Sequence, residues 1–403
     1  MSEPELLFNP FEPGFTDDPY PAYRALRDKD PVHEHPFGFW LLSDYDDVTD
    51  LLRSGLSVNE SLMGDGPVRD QYESLDAGGG LNTLRLSMLE RDPPDHTRLR
   101  SLVSKVFTPR KVAALEPEIT ALVDAALDEL AGARCADLVD TLAFPLPFAV
   151  ISKMLGMAPT DHTRVRELSG TLVKSLEAVV DEETIQAIIS ARDEMTEIIR
   201  AQLAWKRANP ADDLLTALIA AEEAGDKLTD EELIAQVVLL YVAGHETTVN
   251  LIANGTLALL RHPDQLALLR ERPDLAGNAV EEFLRYDSPV QQTRRITLEP
   301  YAVGGKVIPA GAFVVAVLAS ANRDEKAFGP DADLLRLDRE NARQHVSFSS
   351  GPHHCLGASL ARLEGKVAIE RLVTRFPGLS LDGQVEWNGR INLRGPAKLP
   401  VSV

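Results

Sequence analysis

Phe348-Ser349-Ser350-Gly351-Pro352-His353-His354-Cys355-Leu356-Gly357 is the stretch on which the reading of this chain turns. A loop rich in glycine, serine and proline delivers a cysteine immediately ahead of a helical pattern over 358–376. A cysteine at a helix start meets unsatisfied N–H groups and the positive end of the helix dipole, and both favour the thiolate. That suits metal ligation or nucleophilic use, with an inert buried cysteine as the plain alternative. Structural zinc fits poorly, because it takes three or four ligands, commonly in close cysteine pairs, and the other cysteine of the chain is Cys135.

Upstream lies the most apolar region, 233–260. Thr229-Asp230-Glu231-Glu232 ahead of it has the form of a capping box, with Leu228 and Leu233 as the hydrophobic staple. The helix it opens runs to Arg261, where His262-Pro263 stops it, giving about 48 Å at 1.5 Å per residue. Apolar on all sides, such a helix must cross an interior. Midway along it stand Ala243-Gly244-His245-Glu246-Thr247-Thr248. Ionisable and hydroxyl groups there are costly unless they have a task or a partner, so a site competes with a structural ion pair and a back-bonded threonine pair. Position 249 is Val249, which excludes a two-histidine zinc motif. Two further pairs are weaker. Glu282 and Arg285, three apart on a helix, are the spacing of an ordinary surface pair. His96 and Arg100 share a helix face and suit a carboxylate or phosphate, as a solvated basic face also would.

The whole chain has 403 residues, with 41 Lys and Arg against 62 Asp and Glu, a formal charge of −21. That balance disfavours broad binding to nucleic acid or anionic membrane. Two cysteines in this length exclude a disulfide framework. The start, MSEPELLFNPFEPGF, has no basic residue ahead of its apolar positions, so it fails as a signal or transit peptide and a cytoplasmic protein is expected. The polar interruptions of 233–260 argue against a membrane anchor. Residues 16–60 read as a small β-rich edge, with strands at 32–35 and 38–42 between helical patterns at 21–29 and 45–54. Residues 58–90, with glycine runs at 64–66 and 78–80, read as a long mobile loop broken by short helical pieces. Asp92-Pro93-Pro94 reads as a helix start with Asp92 as its cap. Strands are expected at 294–308 and 313–319. Length alone suggests two or three domains, although no linker separates any.

Taken in order, these four constellations closely resemble the cytochrome P450 family, the haem-thiolate monooxygenases. The loop from Phe348 to Cys355 is highly specific. Asp92-Pro93-Pro94-Asp95-His96-Thr97-Arg98-Leu99-Arg100, Arg294-Arg295, Ala321-Asn322-Arg323-Asp324 and Leu393-Arg394-Gly395-Pro396 extend the likeness to essentially the whole chain. The resemblance implies one domain over 1–403, mainly α with a small β-rich lobe: a triangular helical prism around a buried haem b, its helical body spanning about 92–403. Cys355 is then the thiolate ligand of the iron. Phe348 and the N–H groups of Leu356 and Gly357 tune its sulfur. His96, Arg100, Arg295 and His353 take the propionates. Ala243 and Gly244 make room for dioxygen, and Glu246 with Thr247 forms an acid–alcohol pair that supplies protons. Glu282 and Arg285 become structural supports behind the haem. The chain departs from the family in Ser349, where glycine is commoner, and in Asp331-Ala332-Asp333-Leu334-Leu335-Arg336, which lacks the usual proline and Arg-Phe pair. The third member of the support is therefore assigned to Arg339.

The resemblance also implies a substrate pocket walled by 58–90, 172–180 and 239–247, by Val290, Gln291 and Gln292, and by Ile391 and Asn392. With aromatics at 6%, it should suit a bulky, mainly aliphatic steroid, terpenoid, fatty acid or macrolide. Electrons are expected from a ferredoxin and its reductase, docked on the cysteine side near Arg98, Lys105, Arg110, Lys111, Arg362 and Lys366. The chain itself carries no dinucleotide fingerprint. A monomer hydroxylating or epoxidising a small molecule is expected; the competing reading is a haem-binding sensor or carrier that does not turn over, which would have no use for Glu246 and Thr247.

Overall fold

The computed structural model describes residues 7–77, 85–105, 107–158, 162–177, 181–221 and 228–403. The second glycine run, 78–80, and residues 178–180 of the expected pocket wall lie outside them. The chain is mainly helical with small β sheets. Among the described residues no helix is long and apolar enough to cross a membrane.

The organising element is the helix Asp230–Arg261, 32 residues long. Its capping box forms: Glu232 N–H donates to Thr229 Oγ1 at 3.1 Å, and Thr229 N–H donates to Glu232 Oε2 at 2.9 Å. It crosses the interior against the helices Pro145–Leu155, Glu182–Ala208, Ala276–Tyr286 and Ala358–Arg375. Gly255 permits close approach to two of them, since a Cβ there would stand 2.9 Å from both Phe283 and Ile369. The apolar side chains of these helices form one large buried core, which holds Leu251, Leu257, Val280, Phe283, Leu360 and Ile369.

The β-rich lobe is not built from 16–60 alone. Its principal sheet runs Val32–Glu34, Phe39–Leu42, Phe313–Ala316, Thr293–Ile296. The first pair is an antiparallel hairpin, Phe39–Leu42 is parallel to Phe313–Ala316, and Thr293–Ile296 closes the order antiparallel. Phe-Trp-Leu-Leu does not alternate because both sheet faces are covered: Phe39 and Leu41 enter one cluster with Tyr23 and Val315, Trp40 and Leu42 another with Val48 and Leu51. The run expected at 294–308 divides into Thr293–Ile296 and a separate hairpin, Tyr301–Val303 with Lys306–Ile308, turned at Gly304 and Gly305, both with positive φ. The run at 313–319 ends as a strand at Ala316 and continues as the short helix Leu318–Ala321. The segment read as a mobile loop contains a helix of 11 residues, Pro67–Ala77. The next long helix starts at Asp95, and Asp92 does not cap it: its carboxylate accepts from Val58 N–H at 2.9 Å and from Ser57 Oγ–H, tying the loop down.

Candidate active site

The cysteine loop is held by its own backbone. Cys355 N–H donates to the Phe348 carbonyl and Ser349 N–H to that of Val346, both at 2.8 Å. Ser349 has φ 59°, the left-handed region, which is why glycine is the easier residue there. Gly351 is required twice over, by φ +67° and by Leu52 O, 2.6 Å from where its Cβ would be. The helix Ala358–Arg375 follows at once. Burial pushes the Cys355 thiol up, while the N–H groups of Gly357 and Ala358 and the guanidinium groups of Arg100 and Arg362 draw it down. The N–H groups of Gly357 and Ala358 lie at the N-cap and first residue of this helix, where they have no intrahelical partner and can serve the sulfur.

Cys355, Phe348 and Gly357 border a largely apolar cavity of about 360 Å³, and Ala243, Thr247 and Leu239 of the long helix stand across it. One rim is cationic. His96 and His353 place their rings 4.2 Å apart, and Arg295 and Arg100 join them. Arg295 Nη1 donates to Arg294 O at 2.6 Å, but its buried Nη2 has no partner, and neither has the buried His96 Nε2. Burial first, then His96, Arg295 and Arg100, holds His353 down to about 3. Burial, then Arg294, lowers Arg295 to about 10. Arg100 Nη2 donates to His354 O at 2.6 Å, but the two unpartnered nitrogens, Arg295 Nη2 and His96 Nε2, beside Arg100 and His353, make this rim suited to carboxylates. Among the described residues no three of His, Cys, Asp and Glu gather as a metal cage. An iron held by Cys355 alone must bring its remaining ligands with it, and a carboxylate-bearing porphyrin fits both the thiol and the rim.

On the long helix, Thr247 Oγ1–H donates to Ala243 O at 3.0 Å and lines the cavity. Gly244 lines it with backbone. Its missing side chain faces Ile151, 3.4 Å from the Cβ position, so the glycine there serves helix approach as well as space. Glu246 does not line the cavity. Its carboxylate is clamped by Arg390 Nη1, while Arg390 Nη2 donates to Gly170 O at 3.1 Å.

Behind the cysteine loop, Glu282 and Arg285 are fully buried, not a surface pair. Arg285 Nε and Nη2 reach Glu282 Oε2 and Oε1 at 2.7 and 2.8 Å, and its other donors reach the carbonyls of Asn322, Ala332 and Leu334. Arg339 Nε meets Glu282 Oε1 at 3.2 Å, and its Nη1 meets Asp331 Oδ1 at 3.0 Å.

Val290, Gln292 and Asn392 line the cavity, whereas Gln291 and Ile391 do not. In extended chain neighbouring side chains point opposite ways. Gln291 is turned inward, donating through Nε2 to Ser288 O at 2.6 Å, and Ile391 packs toward the cluster of Phe8 and Tyr23. On the cysteine side Arg98 is engaged by Glu232 at 2.5 Å and Arg362 by Glu281 at 2.9 Å, which removes both from a free basic face. Lys105, Arg110 and Lys111 are exposed.

Three features escaped the sequence reading. Glu364 borders the cavity with neither carboxyl oxygen in a well-formed hydrogen bond, and burial raises it to about 8 against the pull of Thr248. Its signal is its bracketing by buried Leu360 and Val367, at i−4 and i+3. Glu60 and Glu90 meet on Arg294 at another wall of the cavity. Arg390, the partner of Glu246, is distant in sequence and carries no local signal.

The chain matches the family model described as Cytochrome P450 over residues 180–388. It is 42% identical over 404 residues to the vitamin D(3) 25-hydroxylase of Pseudonocardia autotrophica, covering 98% of this chain and 96% of that one. It is 39% identical to the cytochrome P450 monooxygenase PikC of Streptomyces venezuelae, covering 99% and 94%. Among solved structures, the myxobacterial cytochrome P450 CYP267B1 in complex with myristic acid superposes with a TM-score of 0.90 at 38% identity, over 98% of each chain.

Proposed function

This chain belongs to the cytochrome P450 family and is a monooxygenase with haem as its cofactor; from that premise we propose how its own residues share the work. The haem is haem b, Cys355 is its thiolate, and His96, Arg100, Arg295 and His353 receive its propionates. The unpartnered donors of that rim are the observation that carries this reading. When bound, the haem supplies dioxygen activation, with the thiolate as electron donor to iron.

The protein residues bind, orient and protonate. Phe348 and the N–H groups of Gly357 and Ala358 shield and stabilise the thiolate. The Glu282, Arg285 and Arg339 group fixes the segment behind it. Ala243 and Gly244 keep the space above the metal open. Thr247 lines the cavity with a hydroxyl, and Glu246, partly exposed behind it, brings protons from solvent to that hydroxyl. The substrate is a bulky apolar molecule, hydroxylated or epoxidised, with Gln292 and Asn392 each able to orient one polar group; the likeness to a vitamin D(3) hydroxylase and to a fatty-acid-bound structure supports that class. The enzyme works as a single-domain monomer in the cytoplasm. A ferredoxin with its reductase delivers electrons near Lys105, Arg110 and Lys111.

The test has two arms. Reduced protein under carbon monoxide shows the red-shifted Soret band of thiolate-ligated haem, and alkaline pyridine extracts haem b. A spectral-shift screen of steroids, terpenoids, fatty acids and macrolides then finds the substrate. With that substrate, Thr247→Ala consumes reductant with more hydrogen peroxide and less product, whereas unchanged coupling removes threonine from proton delivery.

A further inference from the structure

His245 takes no part in the reading above, yet it is fully buried in the middle of the long helix. Its ring stands edge-on to Phe144 and Phe148, with centroids 5.1 and 6.0 Å away. Nδ1 lies 3.1 Å from the carbonyl oxygen of Tyr241. A carbonyl only accepts, so Nδ1 carries the ring hydrogen. Nε2 is therefore a lone pair, buried and without a hydrogen-bond partner. It faces Glu246 Oε2 at 3.6 Å. Two acceptors confront each other across a gap that a proton closes.

The groups around the ring keep it neutral. Arg166, on the helix His162–Leu172, stacks over Phe144 and pairs with Asp140, and Arg390 approaches from the C-terminal loop beyond Glu246. Burial first, and both arginines after it, disfavour the imidazolium, with Glu246 and the Tyr241 carbonyl opposing. Glu246 thus sits between one donor, Arg390, and one acceptor, His245.

We propose that His245 is a positioning residue for proton delivery: its Nε2 accepts the hydrogen of Glu246 whenever that carboxyl is protonated, so that Glu246 alternates between a carboxylate tied to Arg390 and a carboxylic acid tied to His245. The balance is one proton. Water on the exposed side of Glu246 gives it, Oε2 holds it against Nε2, and it leaves toward Thr247. No electrons move, and the imidazole keeps its Nδ1 hydrogen throughout. An unsatisfied buried nitrogen carries a cost in the first state that the second state removes. The inference rests on the reading of Glu246 and Thr247 as the proton-supplying pair, but its first test does not.

That test is NMR of isotope-labelled histidine rings in the reduced, carbon-monoxide-bound holoenzyme, which is diamagnetic. The signal lost in His245→Gln belongs to His245. It is expected as the neutral Nδ1–H tautomer across the neutral pH range. In Glu246→Gln, whose amide donates, Nε2 is hydrogen-bonded at every pH. In Arg390→Gln it becomes hydrogen-bonded as pH falls. The opposite tautomer, an imidazolium, or an Nε2 signal unmoved in both variants overturns the proposal. The second test follows, without substrate, the partition of consumed reductant between hydrogen peroxide and water as a function of pH. His245→Phe removes the acceptor, and the profile moves to lower pH by roughly half to one unit. A lower amplitude with an unmoved midpoint means a packing role and overturns the proposal. A profile already flat in the parent enzyme instead refutes the role of Glu246, leaving the NMR result to decide the tie to His245.

Discussion

Arg285→Leu is the most informative perturbation of the scaffold behind the haem. Arg285 and Glu282 are both fully buried, and the arginine satisfies both carboxylate oxygens and three main-chain carbonyls. Removing it does not strip Glu282 bare. Oε1 still accepts from Arg336 N–H at 2.9 Å and faces Arg339 Nε at 3.2 Å. Oε2 loses its partner, and the carbonyls of Ala332 and Asn322 lose theirs. Breaking one side of a buried pair costs about 3–5 kcal/mol, and the remaining Arg339 contact places this case near the lower end. A loss of about 3 kcal/mol is a large part of the roughly 5–15 kcal/mol by which a protein is stable. The double variant Glu282→Leu with Arg285→Leu removes the stranded charge as well, so it should be less destabilised than Arg285→Leu alone, though Arg339 then loses a partner. Urea unfolding of the haem-loaded protein, followed by the Soret band and by far-ultraviolet dichroism, reads both variants. A loss below about 1 kcal/mol in the single variant, as for an exposed pair, would refute the reasoning.

Cys355→Ser should keep the fold but lose the red-shifted carbon-monoxide band, since a hydroxyl does not supply thiolate donation, whereas exposed Cys135→Ser leaves the spectrum unchanged. Burial, then His96, Arg295 and Arg100, hold His353 down to about 3. The unfolded chain therefore takes up a proton that the folded one refuses, and haem-free protein should lose stability as pH falls from about 6.5 toward that value. Propionates lift the depression, so haem-loaded protein loses less over the same interval; thermal melts of both forms across pH decide this. Glu364 is the opposite case, raised to about 8 from 4.5. Its unfolded form ionises first, so stability is present in acid and declines as pH rises through that interval. Glu364→Gln should flatten this decline, and an equal slope in both proteins would show that the carboxyl is ionised in the folded state.

The cysteine loop, the capping box and the long helix were legible because each is a local pattern whose physics acts within one or two turns. The sheet was only partly legible. Phe39–Leu42 lacks alternation because both its faces are buried, and its parallel partner begins at Phe313. Asp92 has the sequence context of a cap, yet Ser57 and Val58 compete for its carboxylate from a segment that no local pattern connects to it. At the candidate site, residue types were readable and directions were not. Gln291 and Gln292 differ only in which side of an extended segment they occupy. Glu246 is chemically an acid in either reading, and its tie to Arg390 belongs to tertiary structure alone.

The parallel pairing of Phe39–Leu42 with Phe313–Ala316 also sets a timetable for synthesis. About 270 residues must follow Leu42 before its neighbour exists. At roughly 5–20 residues per second, that is an interval on the order of 14–54 s in which Phe39 and Leu41 have no central strand to lie against. The nascent hairpin of Val32–Glu34 and Phe39–Leu42 is two-stranded and marginal by itself. Ribosomal pausing before residue 313, or a chain ending there, therefore leaves an apolar strand edge waiting in the open, and chaperone dependence should be greatest during that interval.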